Sequence, residues 1–150
     1  KTLKGAPKNV FDDFNCSLCT SLESLEGAPQ TVVGDFNCGG CSSLKSLKGS
    51  PEVIDGDFQC GGCYSLTSLK GGPKVVYGDF SCYGTLIKDL TGAPKKVGGD
   101  FYCHECKNLS SLNGAPKEIG GNFATRYCKT TFSPDDVVKV SKVKGRIKCV

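Results

Sequence analysis

A unit of about 22 residues recurs along almost the whole chain, and this period limits the possible fold more than any other feature of the sequence. The prolines follow one another in steps of 22, 22, 22, 21 and 22 residues, at Pro7, Pro29, Pro51, Pro73, Pro94 and Pro116. The phenylalanines keep the same steps, at Phe14, Phe36, Phe58, Phe80, Phe101 and Phe123. A fixed period in this range is typical of solenoids, in which each unit buries its apolar side only against stacked neighbours. We therefore predict a mainly β repeat solenoid of about six coils over residues 1–128.

The columns of the repeat indicate which positions face inward. Written from its glycine, the unit reads G-[ASG]-P-x-x-[VI]-x-G-D-F-x-C-x-x-C-x-x-L-x-[SD]-L-x. Gly-x-Pro predicts a corner, because proline fixes φ and donates no backbone hydrogen bond. Phe and the first Cys lie two residues apart and share one face if Gly-Asp-Phe-x-Cys is a short strand. The [VI] position of the unit carries β-branched side chains, and we call it the branched column. This column and the Leu-x-Ser-Leu segment supply the other inward side chains.

Two polar or small columns precede the phenylalanine. The glycine before Asp, as at Gly34, predicts either a positive φ or a close contact between coils. The aspartates, as at Asp35, would repel one another if they were left in open water. We expect each carboxylate to accept backbone N–H groups at its own corner, as in Asx turns. A calcium ladder is the alternative, although each coil offers only one carboxylate for such a site.

Cysteines recur as Cys-x-x-Cys pairs, and the first three pairs are separated by 18 residues. This is zinc-ribbon spacing, and it makes six residues alternative metal ligands: Cys16, Cys19, Cys38, Cys41, Cys60 and Cys63. The repeat explains the same spacing without metal, because coils stacked about 4.8 Å apart align the cysteines in core columns. Replacement by Thr85 and Thr125 favours this core interpretation. Stacked disulfides remain a third alternative, but the odd total of 11 excludes complete pairing within the chain and favours a reducing compartment.

The consensus sequence of the repeat resembles those of known repeat families. Phe36, Cys38, Cys41 and Leu44 stand in the places of the cysteine-bearing leucine-rich repeat, and Cys-x-Ser-Leu-x-Ser-Leu before Pro-x-x-Val is similar to BspA-like repeats. Ser-Leu-x-Gly-Ala-Pro-x-x-Val-Gly-Gly-Asp-Phe-x-Cys looks most like repeat proteins encoded by large tailed bacteriophages, as do the C-terminal Phe132–Val137 and Val143–Ile147 segments. The resemblance implies a leucine-rich-repeat-like binding or structural scaffold without chemistry of its own. It also implies a location in bacterial host cytoplasm or in a virion.

Residues that vary between coils are the candidates for partner binding, since the scaffold positions repeat. All the tyrosines fall in the later coils, beside the single 21-residue unit. Tyrosine is enriched at protein interfaces, although tyrosines that merely cover coil edges would give the same pattern. The lone histidine lies with a glutamate between Cys103 and Cys106. The predicted partner-binding residues are Tyr64, Tyr77, Tyr83, Tyr102, His104 and Glu105.

The last segment, residues 129–150, leaves the repeat and predicts a small α-β cap. Ser133 and Pro134 are typical of a helix start, and we expect a short helix to about Val140. Residues 145–150 then alternate like a strand. Residues 123–150 carry seven Lys or Arg against two Asp, whereas the first 122 residues carry 12 basic and 13 acidic residues. The alternative nucleic-acid interface is this basic segment, with Lys139, Lys142, Lys144, Arg146 and Lys148.

Several function classes find no support in the residues. No Ser/His/Asp order, phosphate-binding glycine loop or carboxylate pair stands out from the repeat, so we predict no enzyme, no cofactor and no small-molecule substrate. No apolar run is long enough to span a membrane. Thr2-Leu3-Lys4-Gly5 matches the end of a repeat, so we expect the chain to start in mid-repeat, with an N-terminal cap missing. The leading expectation is a non-catalytic scaffold that binds a protein partner or assembles with itself.

Overall fold

The proline corner and the Gly-Asp step divide each coil into short extended segments, so that every strand is only two residues long. The computed structural model describes residues 1–149 and forms a parallel β-solenoid of about six coils, with a small C-terminal helix. The branched column of the repeat gives β1 Asn9–Val10, β3 Thr31–Val32, β5 Val53–Ile54, β7 Val75–Val76, β9 Lys96–Val97, β11 Glu118–Ile119 and β13 Lys142–Val143. The phenylalanine column gives β2 Phe14–Asn15, β4 Phe36–Asn37, β6 Phe58–Gln59, β8 Phe80–Ser81, β10 Phe101–Tyr102, β12 Phe123–Ala124 and β14 Ile147–Lys148. The prediction of a mainly β repeat solenoid is confirmed.

Strands of the same column pair in parallel from coil to coil, one residue of the repeat against its equivalent. The phenylalanine strands form one seven-stranded sheet, in which Phe36 aligns with Phe14 and Phe58. The branched strands form a second sheet from β5 to β13, and β1 pairs separately with β3. The longest sheet therefore runs through Gly-Asp-Phe-x-Cys.

The Leu-x-[SD]-Leu segment forms the third side of each coil without regular strands. Its leucines, such as Leu44 and Leu47, are fully buried. One isolated bridge joins Ser24 to Ser46 in the next coil. The polar residue between the leucines accepts the N–H two residues later, as when the Ser46 hydroxyl accepts from Lys48 at 3.1 Å. This local bond turns the chain toward the next corner and accounts for the Ser or Asp in this column.

The core consists of continuous stacks of like side chains. Successive phenylalanine rings from Phe14 to Phe123 lie with their centroids 5.2–5.5 Å apart. The rings from Phe36 onward are fully buried, and the residue two positions later, a Cys except at Thr125, is buried with them. The expected shared face of Phe and the first Cys is confirmed. Because each ring packs between two others, the core exists only in the stack.

The aspartates form a ladder between coils. Each carboxylate accepts the backbone N–H of the next aspartate along the stack, as Asp35 does from Asp57 at 2.7 Å. The expectation of backbone acceptance is confirmed, but the donor belongs to the neighbouring coil and not to the residue's own turn. The glycine before Asp has an ordinary φ, and a Cβ at Gly56 would overlap the Asp35 carboxylate, so close contact is the reason for this column.

The C-terminal segment packs a short helix on the last coil and adds a further pair of strands to the stack. Helix α1 spans Pro134–Val138, somewhat shorter than predicted, and the Ser133 and Asp136 side chains form a reciprocal capping box at its start. Val137 is buried against the last coil. β13 and β14 then continue the two sheets in parallel. Within residues 1–149, no helix is long and apolar enough to cross a membrane.

Candidate functional site

Most of the predicted partner-binding residues gather on the outer side of the phenylalanine sheet. The Tyr83 ring stacks on His104 with centroids 5.4 Å apart, and Tyr102 meets the same imidazole edge-on at 6.0 Å. Tyr64 lies beside Tyr83 along a shared groove, and Tyr127 lies beside His104 along a second one. We call these five residues the aromatic face. Tyr83 and His104 are 21 residues apart, one coil of the repeat, which explains how a stack assembles from distant positions.

A glycine-floored groove of about 500 Å³ lies on the N-terminal side of the Tyr83–His104 stack. Its floor consists of Gly39, Gly40, Gly61 and Gly62, and Tyr64 forms part of its wall. The Tyr83 ring leans over Gly61, where any Cβ would overlap it. The missing side chains are therefore what opens the groove and lets the tyrosine lie flat against the backbone.

A second groove of about 320 Å³ lies on the C-terminal side of the stack. It brings the predicted Tyr102, His104 and Glu105 together with Arg126 and Tyr127. The Tyr102 hydroxyl donates to Asp100 at 2.7 Å, and this bond raises the pKa of Tyr102 to about 12. Arg126 and Tyr127 also line this groove, although the sequence pattern does not single them out, because their coil has lost the first cysteine, which obscures the alignment of the repeat.

Backbone strain accompanies the second groove. Glu105 and Tyr127 both have φ of 57°, in the left-handed region. The equivalent position in three of the preceding coils is glycine, as at Gly62. A side chain in this conformation costs about 1–2 kcal/mol. Leu18, at the same position of the first coil, is exposed as well and has a φ of 58°, so the chain carries exposed side chains at three positions where glycine would be less strained.

Tyr77 stands apart from the other predicted partner residues. It follows β7 at the corner between the two sheets, is 54% exposed, and lines neither of the two grooves that flank the Tyr83–His104 stack. Tyr83 follows Tyr77 by only six residues, so nearness along the chain does not predict which tyrosines share a groove.

The cysteines line the interior of the corner beneath the aromatic face. Nine of the 11 free thiols are buried, while Cys19 is exposed and Cys128 is half-buried. Thiols of the second column donate to carbonyls of the first column in the preceding coil, as Cys63 does to Cys38 at 3.2 Å. Thr85, in the second column, donates instead to the Cys82 carbonyl of its own coil at 2.7 Å. The second column thus requires a small buried donor, which explains the replacement of Cys by Thr.

Burial also sets the chemistry of these thiols. It raises the pKa of Cys63 to about 11 and that of Cys16 to about 12, so the neutral thiol is the stable form in the core. Among residues 1–149, no group of three or more His, Cys, Asp or Glu side chains is placed to hold a metal ion. In the first column, the Thr125 hydroxyl is buried without a hydrogen-bond partner among these residues, a cost that a thiol there reduces.

The basic residues of the C-terminal segment do not form one patch. Lys148 borders the second groove of the aromatic face. Lys142 and Lys144 instead lie on the outer side of the branched sheet with Lys96. Lys139 pairs with Asp136 at 3.5 Å. Arg146 is exposed at the corner before β14. Basic residues that lie close together along the sequence of the C-terminal segment thus lie on different sides of the solenoid.

No family model, curated protein or solved structure matches this chain. The assignment as a parallel β-solenoid therefore rests on the in-register pairing of equivalent residues in successive coils.

Proposed function

We propose that this chain is a non-catalytic scaffold that captures a protein partner on its aromatic face. The observation that carries the proposal is the Tyr83–His104 stack, of an exposed tyrosine on a half-buried histidine, with a groove on each side. Tyrosine rings offer a large contact area at a small loss of side-chain entropy, and such rings beside pockets are typical of the residues that dominate binding.

The strain at Glu105 and Tyr127 supports the same proposal. Both side chains are exposed, so their contacts within residues 1–149 offset little of the cost of the left-handed backbone. Strained positions of this kind cluster at binding sites, where the displayed side chain has a use that outweighs its cost.

The resemblance to bacteriophage and leucine-rich-repeat-like proteins extends the proposal to a setting. In this setting the chain belongs to a larger assembly, in bacterial host cytoplasm or in a virion, and the partner is another component of that assembly or a second copy of the chain. This part of the proposal rests only on the resemblance of the repeat's amino-acid pattern to those proteins.

The test compares capture by matched variants of the full chain. Tyr83→Ser combined with His104→Ser removes the stack, and Tyr77→Ser removes one exposed tyrosine at the other corner. We expect a protein cross-linked by the wild type and by Tyr77→Ser to be lost from the double variant. Sedimentation of the purified chain across concentrations identifies a second copy as the partner. Equal capture by all three chains, with equal thermal unfolding, would show that the aromatic face is not the binding surface.

A further inference from the structure

In the first four coils, four of the eight lysines pair with acidic residues of neighbouring coils, whereas Lys4, Lys8, Lys70 and Lys88 form no ion pair within residues 1–149. Lys48 contacts Glu26 at 2.8 Å, and Lys74 contacts Glu52 one coil away. Glu23 lies between two lysines, Lys1 at 3.3 Å and Lys45 at 3.8 Å. Cross-strand pairs of opposite charge stabilise a parallel stack, whereas like charges placed directly opposite destabilise it.

The later coils break this rule on the outer side of the branched sheet. There, five exposed lysines form no ion pair with any of the residues 1–149, and we call them the lysine face: Lys95, Lys96, Lys117, Lys142 and Lys144. Lys117 follows Lys95 directly in the stack, its N–H donating to the Lys95 carbonyl at 2.8 Å, so two like charges repeat at a coil spacing of about 4.8 Å. Glu118, between Lys96 and Lys142 in the register, is the one acidic side chain along this row.

Bare backbone lies between the lysines. Lys96, Lys142 and Lys144 surround a groove of about 250 Å³ that includes Gly98 and Gly120. Lys95 and Lys117 border another groove, of about 430 Å³, along the Gly-x-Pro corners. Lys117 and Lys142 share the surface between the two grooves. An anionic group can therefore approach several ammonium groups over glycine backbone, although the Glu118 side chain also lines the first of these grooves.

The chemistry of this face fits phosphate groups and does not fit bases. Lysine is a point charge that binds phosphate without the planar fork by which arginine reads guanine. Among the described residues that line these grooves, none is Arg, Asn or Gln, and none is aromatic. Unpaired bases need aromatic stacking platforms, and those lie on the other sheet.

We propose that the lysine face binds the phosphate backbone of duplex nucleic acid without reading its sequence. This site is distinct from the aromatic face, and it revises the interface expected from the sequence. Lys142 and Lys144 remain in it, and Lys95, Lys96 and Lys117 join it. Lys139 borders it but pairs with Asp136, and Arg146 and Lys148 lie outside it. Neutralising phosphates releases condensed counterions, so the affinity depends steeply on salt.

The test measures the anisotropy of a labelled DNA duplex of about 20 base pairs with the full chain as salt rises from about 50 to 200 mM. Five contacts predict a slope of log affinity against log salt of about −4.5. Lys95→Gln with Lys117→Gln should weaken binding more than about tenfold at low salt and reduce the slope by about 1.8. Lys45→Gln with Lys48→Gln removes the same two charges on the leucine side and should change affinity less than about twofold.

Several outcomes would overturn the proposal. Equal weakening in both double variants would assign binding to net charge, and no binding at low salt would exclude the site. Tighter binding to phosphatidylserine vesicles than to the duplex would identify a membrane surface instead. Tighter binding to single strands would exclude the duplex as the preferred ligand. The Tyr83→Ser/His104→Ser variant should keep full duplex affinity, so failure of this proposal is independent of the partner proposal.

Discussion

At the residue scale, the residue type in each column is suited to the hydrogen bonds that its position requires. The Cys63 thiol fills core space and also satisfies the Cys38 carbonyl. Thr85 keeps the donor and loses the sulfur, whereas Thr125 in the other column leaves its hydroxyl without a partner among residues 1–149. The cysteines therefore serve as small apolar donors, and their number follows from the number of coils.

Burial of these thiols makes stability depend on alkaline pH. The pKa of Cys63 is raised by burial from 9.0 to about 11, so its stabilising contribution is complete below pH 9 and is lost as pH rises toward 11. Each such thiol steepens the decline of the unfolding free energy by up to about 1.4 kcal/mol per pH unit. We expect Cys63→Ser, which keeps a donor and does not titrate, to show a shallower decline in urea unfolding between pH 9 and 10. Cys19→Ser, at an exposed thiol, should decline like the wild type, and a wild-type decline in both would contradict the assignment.

At the element scale, the two sheets owe their alignment to ladders of identical residues. A strand of two residues has no stability of its own, so the Phe stack and the Asp ladder must hold the coils in register. Burial and the neighbouring Asp57 and Asp100 carboxylates raise the pKa of Asp79, which shows that the ladder carries some electrostatic repulsion. Asn122 ends the ladder, and its amide oxygen accepts the Arg146 N–H at 2.8 Å without a charge.

Asp57 allows the acceptor and the charge to be separated. Its carboxylate accepts the Asp79 N–H at 2.7 Å. Asp57→Ala should lower the free energy of unfolding by about 1–3 kcal/mol, because a partly buried N–H loses its acceptor. Asp57→Asn keeps an acceptor, as Asn122 does, and should change stability by less than about 1 kcal/mol in either direction. Urea unfolding at pH 7 measures both, and equal destabilisation would mean that the charge, and not the hydrogen bond, supports the ladder.

At the scale of the whole molecule, a parallel stack ends in strands with open edges. β13 and β14 are edge strands of the two sheets, and Lys142 and Lys148 lie on them. Charged residues, lysine especially, protect an edge against pairing with another chain. The basic character of the C-terminal segment therefore has a structural use in addition to any binding role.

Removing those two charges should expose the edge. We expect Lys142→Val with Lys148→Val to increase concentration-dependent association over the wild type, since both strands then offer apolar residues and open backbone groups. Sedimentation velocity at several concentrations measures the change. Lys45→Val with Lys48→Val, a matched pair on the leucine side away from this edge, is the control. Equal association in the two variants would attribute the effect to surface hydrophobicity alone.

The period, the inward columns and the parallel stacking could be inferred from the sequence, because each depends on identical residues returning at a fixed step. The equivalence of Phe36 and Phe58 and the shared face of Phe and Cys are of this kind. The helix start at Ser133 could be inferred separately, from its local capping residues. These features come from local geometry and from the need to bury apolar surface between neighbouring coils.

Only the tertiary structure decided which variable residues share a surface. Tyr77 and Tyr83 are six residues apart and lie at different corners, while Tyr83 and His104 are 21 residues apart and stack. Likewise, Lys142 and Lys148 belong to different sheets, and Lys142 lies beside Lys117. The physical reason is that position around the coil sets which side a residue faces. The position of a residue around the coil depends on where the chain turns, and the identity of a variable residue does not indicate that position.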